Sequence, residues 1–392
     1  MVDYLADYSV KKETNCIFAL MITIKEITSK KELKAFVMFP FKLYKNNNYW
    51  VPPIINDELE TFDKNINPVF KHAEARYFVA LKNNEIVGRI AAIINFTELN
   101  EQKLKKMRFG WFDFIDDIEV SKLLLKKVEE IGIQNKLEFM EGPVGFSNLD
   151  KVGVLTEGFN HIGTMITWYN HPYYKAHFEK LGFQVEKEYL ENKFPFANVK
   201  PEPLQRVCAI LEKRYSLTPL NFNKTKDIMP FVDKMFDLFN KSYASLPSFV
   251  PISDIEIAYF KKKYITFINP EYIKFVIDKD ENMVAFAITM PSFSQALQKA
   301  KGKLLPFGLF HLLKAKKESK DVLFYLIGVH PDYQNKGIHA LIFNEYQKSF
   351  EKRGIINCIR TPELATNTKI AAVWKNFDPV TFKKRCTYKK VI

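Results

Sequence analysis

Val329-His330-Pro331-Asp332-Tyr333-Gln334-Asn335-Lys336-Gly337-Ile338-His339 joins the apolar run Val322 to Val329 to a stretch with helical apolar spacing. That stretch runs from about Gly337 to Arg353 and places Ile338, Leu341, Ile342, Tyr346 and Phe350 on one side. A glycine-bearing turn at such a junction presents successive backbone N–H groups at a helix N-terminus, where the helix dipole also favours negative charge. It can hold a pyrophosphate, to which Lys336 adds a movable positive charge. An ordinary strand-to-helix turn is the competing reading.

The chain repeats itself. Tyr77 to Ile93 reads as two β-type runs joined at Asn83-Asn84, and Tyr272 to Met290 repeats that layout 195 residues later. In the second half a helix-like stretch, Ile228 to Ser242, precedes the hairpin. A further strand follows each hairpin, Phe109 to Phe114 and Val322 to Val329. Then come a helix (Ile118 to Ile131, or Gly337 to Arg353), another strand (Leu137 to Gly142, or Asn357 to Arg360) and a last helix with aromatic residues. Tandem duplication explains this order economically. The Pro195 to Pro203 stretch interrupts both periodicities and marks the boundary.

This element order, together with the turn, resembles the GNAT superfamily of acyl-CoA-dependent acyltransferases, and the resemblance covers nearly all of Ile22 to Ile392 as two copies. The superfamily pattern sets Gln or Arg, two variable residues, Gly, one variable residue, then Gly or Ala between a strand and a helix. Gln334-Asn335-Lys336-Gly337-Ile338-His339 matches except at His339, which either narrows the approach of the phosphates or donates to them. In the first half the same turn reads Phe114-Ile-Asp-Asp-Ile-Glu-Val-Ser121, with no glycine. Asp116, Asp117 and Glu119 satisfy the helix dipole there and would repel phosphate. That half keeps Phe178-Glu-Lys-Leu-Gly-Phe183, similar to the close of many acetyltransferases, so it reads as a degenerate copy that shapes the acceptor site or the interface.

The expected fold is therefore α+β or α/β: two tandem GNAT-like domains, each a mixed, mostly antiparallel twisted sheet flanked by helices. Residues 21–197 form the copy without a pyrophosphate loop and 198–392 the copy with one. Residues 1–20 are expected to be a tail or an upstream mis-start, because Met21-Ile-Thr-Ile-Lys-Glu-Ile27 opens like the first strand of a domain.

The resemblance implies acetyl-CoA or a longer acyl-CoA as co-substrate, with no metal. It assigns the cofactor to Val329, Gln334, Asn335, Lys336, Gly337, Ile338 and His339, and further along to Asn367 and Trp374. A backbone N–H near Val329 would polarise the thioester carbonyl. Direct attack requires a neutral amine and a protonated leaving thiolate. Glu363 and His330 are the candidate bases. The family's acid tyrosine falls seven residues after Asn367, where this chain has Trp374, so either Tyr325, Tyr333 or water substitutes or the catalytic capacity is altered. Ser147, Asn148, Glu157, Tyr173 and Tyr174 are acceptor-side candidates, against a plainer reading as turn and packing residues.

Composition narrows the rest. Lys and Arg total 58 against 45 acidic residues, a net charge of +13 that favours anionic partners such as phosphates or lipid headgroups. The 35 phenylalanines are expected either in thick aromatic cores or along an apolar channel. Cys16, Cys208, Cys358 and Cys386 have neither CxxC spacing nor histidine neighbours, which argues against zinc and a disulfide framework and fits a reducing cytoplasm. Cys16 to Ile24 is apolar but short of the roughly 20 residues that cross a bilayer.

The leading expectation is a cytoplasmic acyl-CoA N-acyltransferase acting on a small-molecule or lipid-like primary amine, with peripheral contact to the anionic inner face of a membrane. Overall similarity suggests the bacterial ceramide synthase group, whose acceptor is a sphingoid-base amine, and hence lipid metabolism. An aminoacyl-tRNA-dependent tandem-GNAT transferase and a non-catalytic CoA-binding protein stay open. Nucleic acid is the weaker partner, since no clustered Arg/aromatic platform is present.

Overall fold

The computed structural model describes residues 21–246, 249–265 and 268–392. The expected tail, residues 1–20, lies outside the described residues, as does Cys16.

The first half supplies β1 (Thr23–Glu26), β2 (Ala73–Lys82), β3 (Glu85–Asn95), β4 (Lys106–Phe114), β5 (Phe139–Gly142), β6 (Val154–Glu157) and β7 (Gln184–Pro195). The second supplies β8 (Thr218–Leu220), β9 (Ile273–Ile277), β10 (Met283–Pro291), β11 (Asp321–Val329), β12 (Asn357–Arg360), β13 (Glu363–Leu364) and β14 (Val380–Val391). The principal helices are α1 (Lys30–Leu43), α2 (Ile118–Gln134), α3 (Tyr173–Lys180), α4 (Pro201–Tyr215), α5 (Val232–Tyr243), α6 (Ser294–Ala300), α7 (Gly308–Glu318), α8 (His339–Arg353) and α9 (Thr368–Trp374).

Local chemistry sets these elements. Asn83 and Asn84, at φ 54° and 62°, close the β2-β3 hairpin with both central residues left-handed, the geometry that matches strand twist. Ser29 and Glu32 form a reciprocal capping box at the start of α1. In each half helices cover both faces of the sheet. Val120, Leu124 and Val128 of α2 pack one face of the first half, while Phe36 and Val37 of α1 pack the other. In the second half Leu341, Ile342 and Tyr346 of α8 oppose Met235, Phe236 and Phe239 of α5.

All strands join one sheet, ordered β1-β2-β3-β4-β5-β14-β7-β12-β11-β10-β9-β8, with β6 on β14 and β13 on β7. The halves exchange their closing strands. β7 pairs antiparallel with β12 of the second half, β14 pairs antiparallel with β5 of the first, and β7 and β14 pair with each other at the centre. The expected mixed sheet with flanking helices is present in both copies, and their fusion through exchanged strands is an addition that element order did not show.

Candidate active site

β11 and β12 run parallel only from Asp321–Asn357 to Phe324–Arg360, after which β12 ends and β11 continues to Val329 paired only with β10. A V-shaped gap opens there. The N–H of His330 donates to Val284 O at 2.8 Å, so the alternation of an antiparallel ladder directs the N–H and C=O of Val329 and Ile327 away from β10, into the gap. Side chains confirm that direction, since Tyr243 donates to Ile327 O at 3.0 Å and Gln334 Nε2 to Val329 O at 3.4 Å. A bulge leaves Tyr325 without a partner in β10.

The turn after β11 uses nine residues, 330–338, before α8 begins. Asn335 and Gly337 both take left-handed backbone, at φ 61° and 78°. Nothing lies within 4 Å of where a Cβ on Gly337 would project, so the turn opens on a concavity. Lys369 Nζ reaches Gln334 Oε1 at 3.3 Å, which brings a cation from α9 to the rim. This open turn at the N-terminus of a four-turn helix fits an anionic pyrophosphate. The first half has no such room. Three residues link β4 to α2, and the Asp117 carboxylate caps the helix by accepting from Glu119 N at 3.1 Å.

Turn and gap open into a cavity of about 600 Å³ between the halves. Of the expected residues, Val329, Tyr333, Gln334, Asn335, Gly337, Ile338, His339, Glu363, Asn367, Trp374 and Tyr325 line it, and so do Ser147 and Asn148 of the first half. Two segments distant in sequence thereby meet: the Ser147–Asn148 loop of one copy and the Gln334–His339 turn of the other line the same cavity. Ser147 N and Asn148 Oδ1 are themselves engaged, with Asp150 Oδ2 at 2.9 Å and Val250 N at 3.0 Å. Burial of His339 disfavours its charged form and holds its pKa below the ordinary value.

Other expectations are corrected. Glu363 is engaged by the Arg360 guanidinium and accepts the Trp374 indole N–H at 3.1 Å, which occupies both oxygens of the expected base. Trp374 is 1% exposed and fixes that carboxylate. Arg360, lying 4.7 Å over the indole, has its pKa brought down to about 9 by burial. The His330 ring caps its own short helix, accepting from Asp332 N at 3.4 Å, and stays outside the cavity wall. Lys336 turns onto the rings of Tyr215 and Tyr333, at 5.2 and 5.1 Å.

Glu157, Tyr173 and Tyr174 do not reach the cavity. Glu157 pairs with Lys384 at 3.0 Å on the surface. Tyr173 donates to Phe114 O, and the Tyr174 hydroxyl accepts from Phe114 N at 3.1 Å. They fill the gap at the end of β4 that corresponds to the open gap at the end of β11. Most phenylalanines likewise pack in the cores, Phe307 and Phe310 being exposed exceptions, and among the described lining residues only Phe324 is a phenylalanine.

The sequence reading missed the charged wall from the first half. Lys106, Arg108, Glu141, Asp150 and Lys187 all line the cavity. Arg108 Nε donates to Glu98 at 2.7 Å, while Lys106 lies 2.6 Å from Glu98 and 3.4 Å from Glu141. Lys187 closes onto Glu141. Asp150 is held by backbone N–H groups of Ser147 and Phe146, and burial, the dominant cause, keeps its carboxyl above the usual range. The signal was the alternation Lys106-x-Arg108 ahead of the strand core, which places both charges on one face.

Two copies of one element order, a splayed strand pair and a glycine turn at a helix N-terminus define the tandem GNAT fold, and this chain has it. It superposes on a tandem GNAT protein from the clavulanic acid biosynthesis pathway, determined without AcCoA, with a TM-score of 0.56 at 8% identity over 95% of this chain and 98% of that one. No family model matches the sequence. The chain is similar to Protein YghO of Escherichia coli strain K12, 25% identical over 94% of this chain and 95% of that protein. It is also 25% identical to a bacterial ceramide synthase of Caulobacter vibrioides, over 80% of this chain and 82% of the relative.

Described residues contain no helix long and apolar enough to cross a membrane, and no cluster of three or more His, Cys, Asp or Glu side chains able to hold a metal.

Proposed function

We propose that this protein is an acyl-CoA-dependent N-acyltransferase with one cofactor site, in the second half, and an acceptor site walled by the first. The observation that carries this reading is the meeting of the open Gln334–His339 turn, the exposed N–H groups of Ile327 and Val329, and the Ser147–Asp150 loop in one cavity. Bound acyl-CoA would supply an activated thioester; the chain's own groups bind, orient and move protons. Gly337 and its neighbours hold phosphate oxygens through backbone N–H, and Ile327 and Val329 offer N–H groups to a carbonyl oxygen where negative charge develops.

With Glu363 taken by Arg360 and Trp374, and Glu141 by Lys106 and Lys187, Asp150 is the cavity carboxylate without a cationic side chain in contact with it among the described residues. We assign it as proton acceptor for the attacking ammonium, because its raised pKa matches that task. Burial pushes the Tyr325 phenol up and its hydroxyl donates to Leu149 O at 3.3 Å, so it is too weak an acid to protonate the leaving thiolate by itself. In the reaction Asp150 takes one proton from the ammonium, the neutral amine nitrogen bonds to the acyl carbon, the C–S bond breaks, and the second proton that the nitrogen sheds passes to the sulfur, which leaves as a thiol. A long-chain amine, sphingoid base included, is the acceptor class, supported by similarity to the ceramide synthase.

The test incubates the purified chain with acetyl- to palmitoyl-CoA and an amine panel that includes sphinganine, following thiol release and N-acyl product by mass spectrometry. An N-acylated amine formed in step with free thiol is expected. CoA binding by calorimetry without thiol release for any amine would leave a CoA-binding protein, the reading that the locked Glu363 favours.

A further inference from the structure

Between β10 and β11 the second half carries a 29-residue insertion, 292–320, where the first half has the 10-residue connection 96–105. It folds as α6 and α7, and one side is anchored. Leu312 packs with Phe293, Ala296, Leu297 and Val51, and Gln298 donates to Asn48 O at 2.8 Å and Trp50 O at 3.0 Å. The other side is apolar and open to solvent: Leu305, Phe307, Phe310 and Leu313 are 74, 72, 64 and 52% exposed. Phe307, Phe310 and Leu313 recur every three residues, so they form one exposed ridge.

Charge frames that ridge. Residues 299–320 contain seven lysines and one acidic residue, a net +6 of the chain's +13. Lysine is depleted at protein interfaces, whereas arginine, methionine and the three aromatic residues are enriched there. Of that set the insertion contains only phenylalanine, and its seven lysines are the depleted type. Aromatic and leucine side chains on one face with lysines around them is the pattern of a helix that rests in a lipid headgroup layer.

We infer that α7 and the Leu305–Phe307 turn before it dock this protein on an anionic lipid bilayer. One hydrogen bond ties the insertion to the segment beside the cavity: Ser294 Oγ donates to Gly163 O at 2.7 Å, and Ile166, three residues on, lines the cavity. The inference goes beyond the transferase reading, and because docking is measured without acyl-CoA, either can fail alone.

The experiment is co-sedimentation of the full chain with vesicles of phosphatidylcholine alone or mixed with phosphatidylglycerol, at low and high salt. Binding to the mixed vesicles at least about tenfold tighter than to phosphatidylcholine, and weakened by salt, is expected. F307S/F310S and K314E/K317E should each abolish it while keeping the wild-type melting curve. Phe310→Trp should shift its emission to the blue on adding mixed vesicles. Equal binding to both vesicle types, retention by both double variants, or an unshifted emission would overturn the proposal. Conversion of a dimer to monomer by F307S/F310S with vesicle binding intact would overturn it too, in favour of a second copy of this chain.

Discussion

Arg385 on β14 donates its Nε hydrogen to Glu191 on β7, and each side chain is 1% exposed. The two residues close opposite halves of the chain yet lie on neighbouring central strands. Lys383, also 1% exposed, sits 3.8 Å from the other Glu191 oxygen and donates to Ile162 O at 2.6 Å, and Arg385 donates to Trp168 O at 2.6 Å. One carboxylate thus serves two buried cations at the point of strand exchange.

Glu191→Ala should cost about 3–5 kcal/mol in urea unfolding, because it strands buried charge instead of deleting a surface pair. Burial lowers Lys383 from 10.5 to about 8. Between those values the unfolded chain holds a proton that the folded chain has released, so this group's contribution to stability rises as pH climbs through the window. Lys383→Met should flatten that part of the stability profile. A profile unchanged by the substitution would rule out Lys383 as its source.

Strand exchange predicts how the chain divides. Fragments 21–197 and 198–392 each lack the strand that completes their own sheet and expose a long edge in its place. Neither should give a cooperative melt alone, while co-expressed fragments should co-purify and melt together. Independent folding of either fragment would show the exchanged strands to be dispensable.

At the glycine turn, Gly337→Asp should weaken CoA binding at least about tenfold by calorimetry, because its carboxylate would face phosphate. The melting temperature should fall only modestly: no atom lies within 4 Å of the new Cβ, and the left-handed backbone at residue 337 costs an L side chain about 1–2 kcal/mol. A large drop in stability with unchanged affinity would remove this turn from the cofactor site.

Asp150 must be ionised to accept a proton, so kcat/KM should fall with decreasing pH along a limb above the ordinary carboxylate range, in line with its raised pKa. Asp150→Asn should lose that limb along with about 10²–10⁴-fold of the rate. A melting curve checks that the Ser147 turn survives. Retention of the wild-type limb would move the base elsewhere.

Tyr174→Phe removes the hydroxyl that accepts from Phe114 N and meets Tyr44 at 3.1 Å. It should cost about 1–3 kcal/mol and leave the amine KM unchanged. A raised KM would return this residue to the acceptor site.

Much of the architecture was legible because it rests on local periodicity. The Asn83-Asn84 hairpin, α2, α8 and the Gln334–His339 turn each show their period or breaker within about 20 residues. Site chemistry was legible only where one segment supplies it. The turn and the Ser147–Asn148 loop both reach the cavity, whereas Glu363 looked like an available base because nothing in its neighbourhood announces capture by Trp374 eleven residues later. Tyr173 and Tyr174 looked like acceptor groups because aromatic pairs in a helix read alike whether they line a ligand site or plug one.

Sequence alone was enough to show two copies of one element order, and that one copy carries a glycine turn at a helix N-terminus, since backbone geometry at glycine and helix dipoles act over a few residues. Only the tertiary structure decided that β7 and β14 change places, that Lys106, Arg108 and Asp150 wall the site, and that an apolar ridge at Phe307–Leu313 faces solvent. Those outcomes depend on which strand edge and which face are left over after every other element has packed, and no local pattern encodes what remains uncovered.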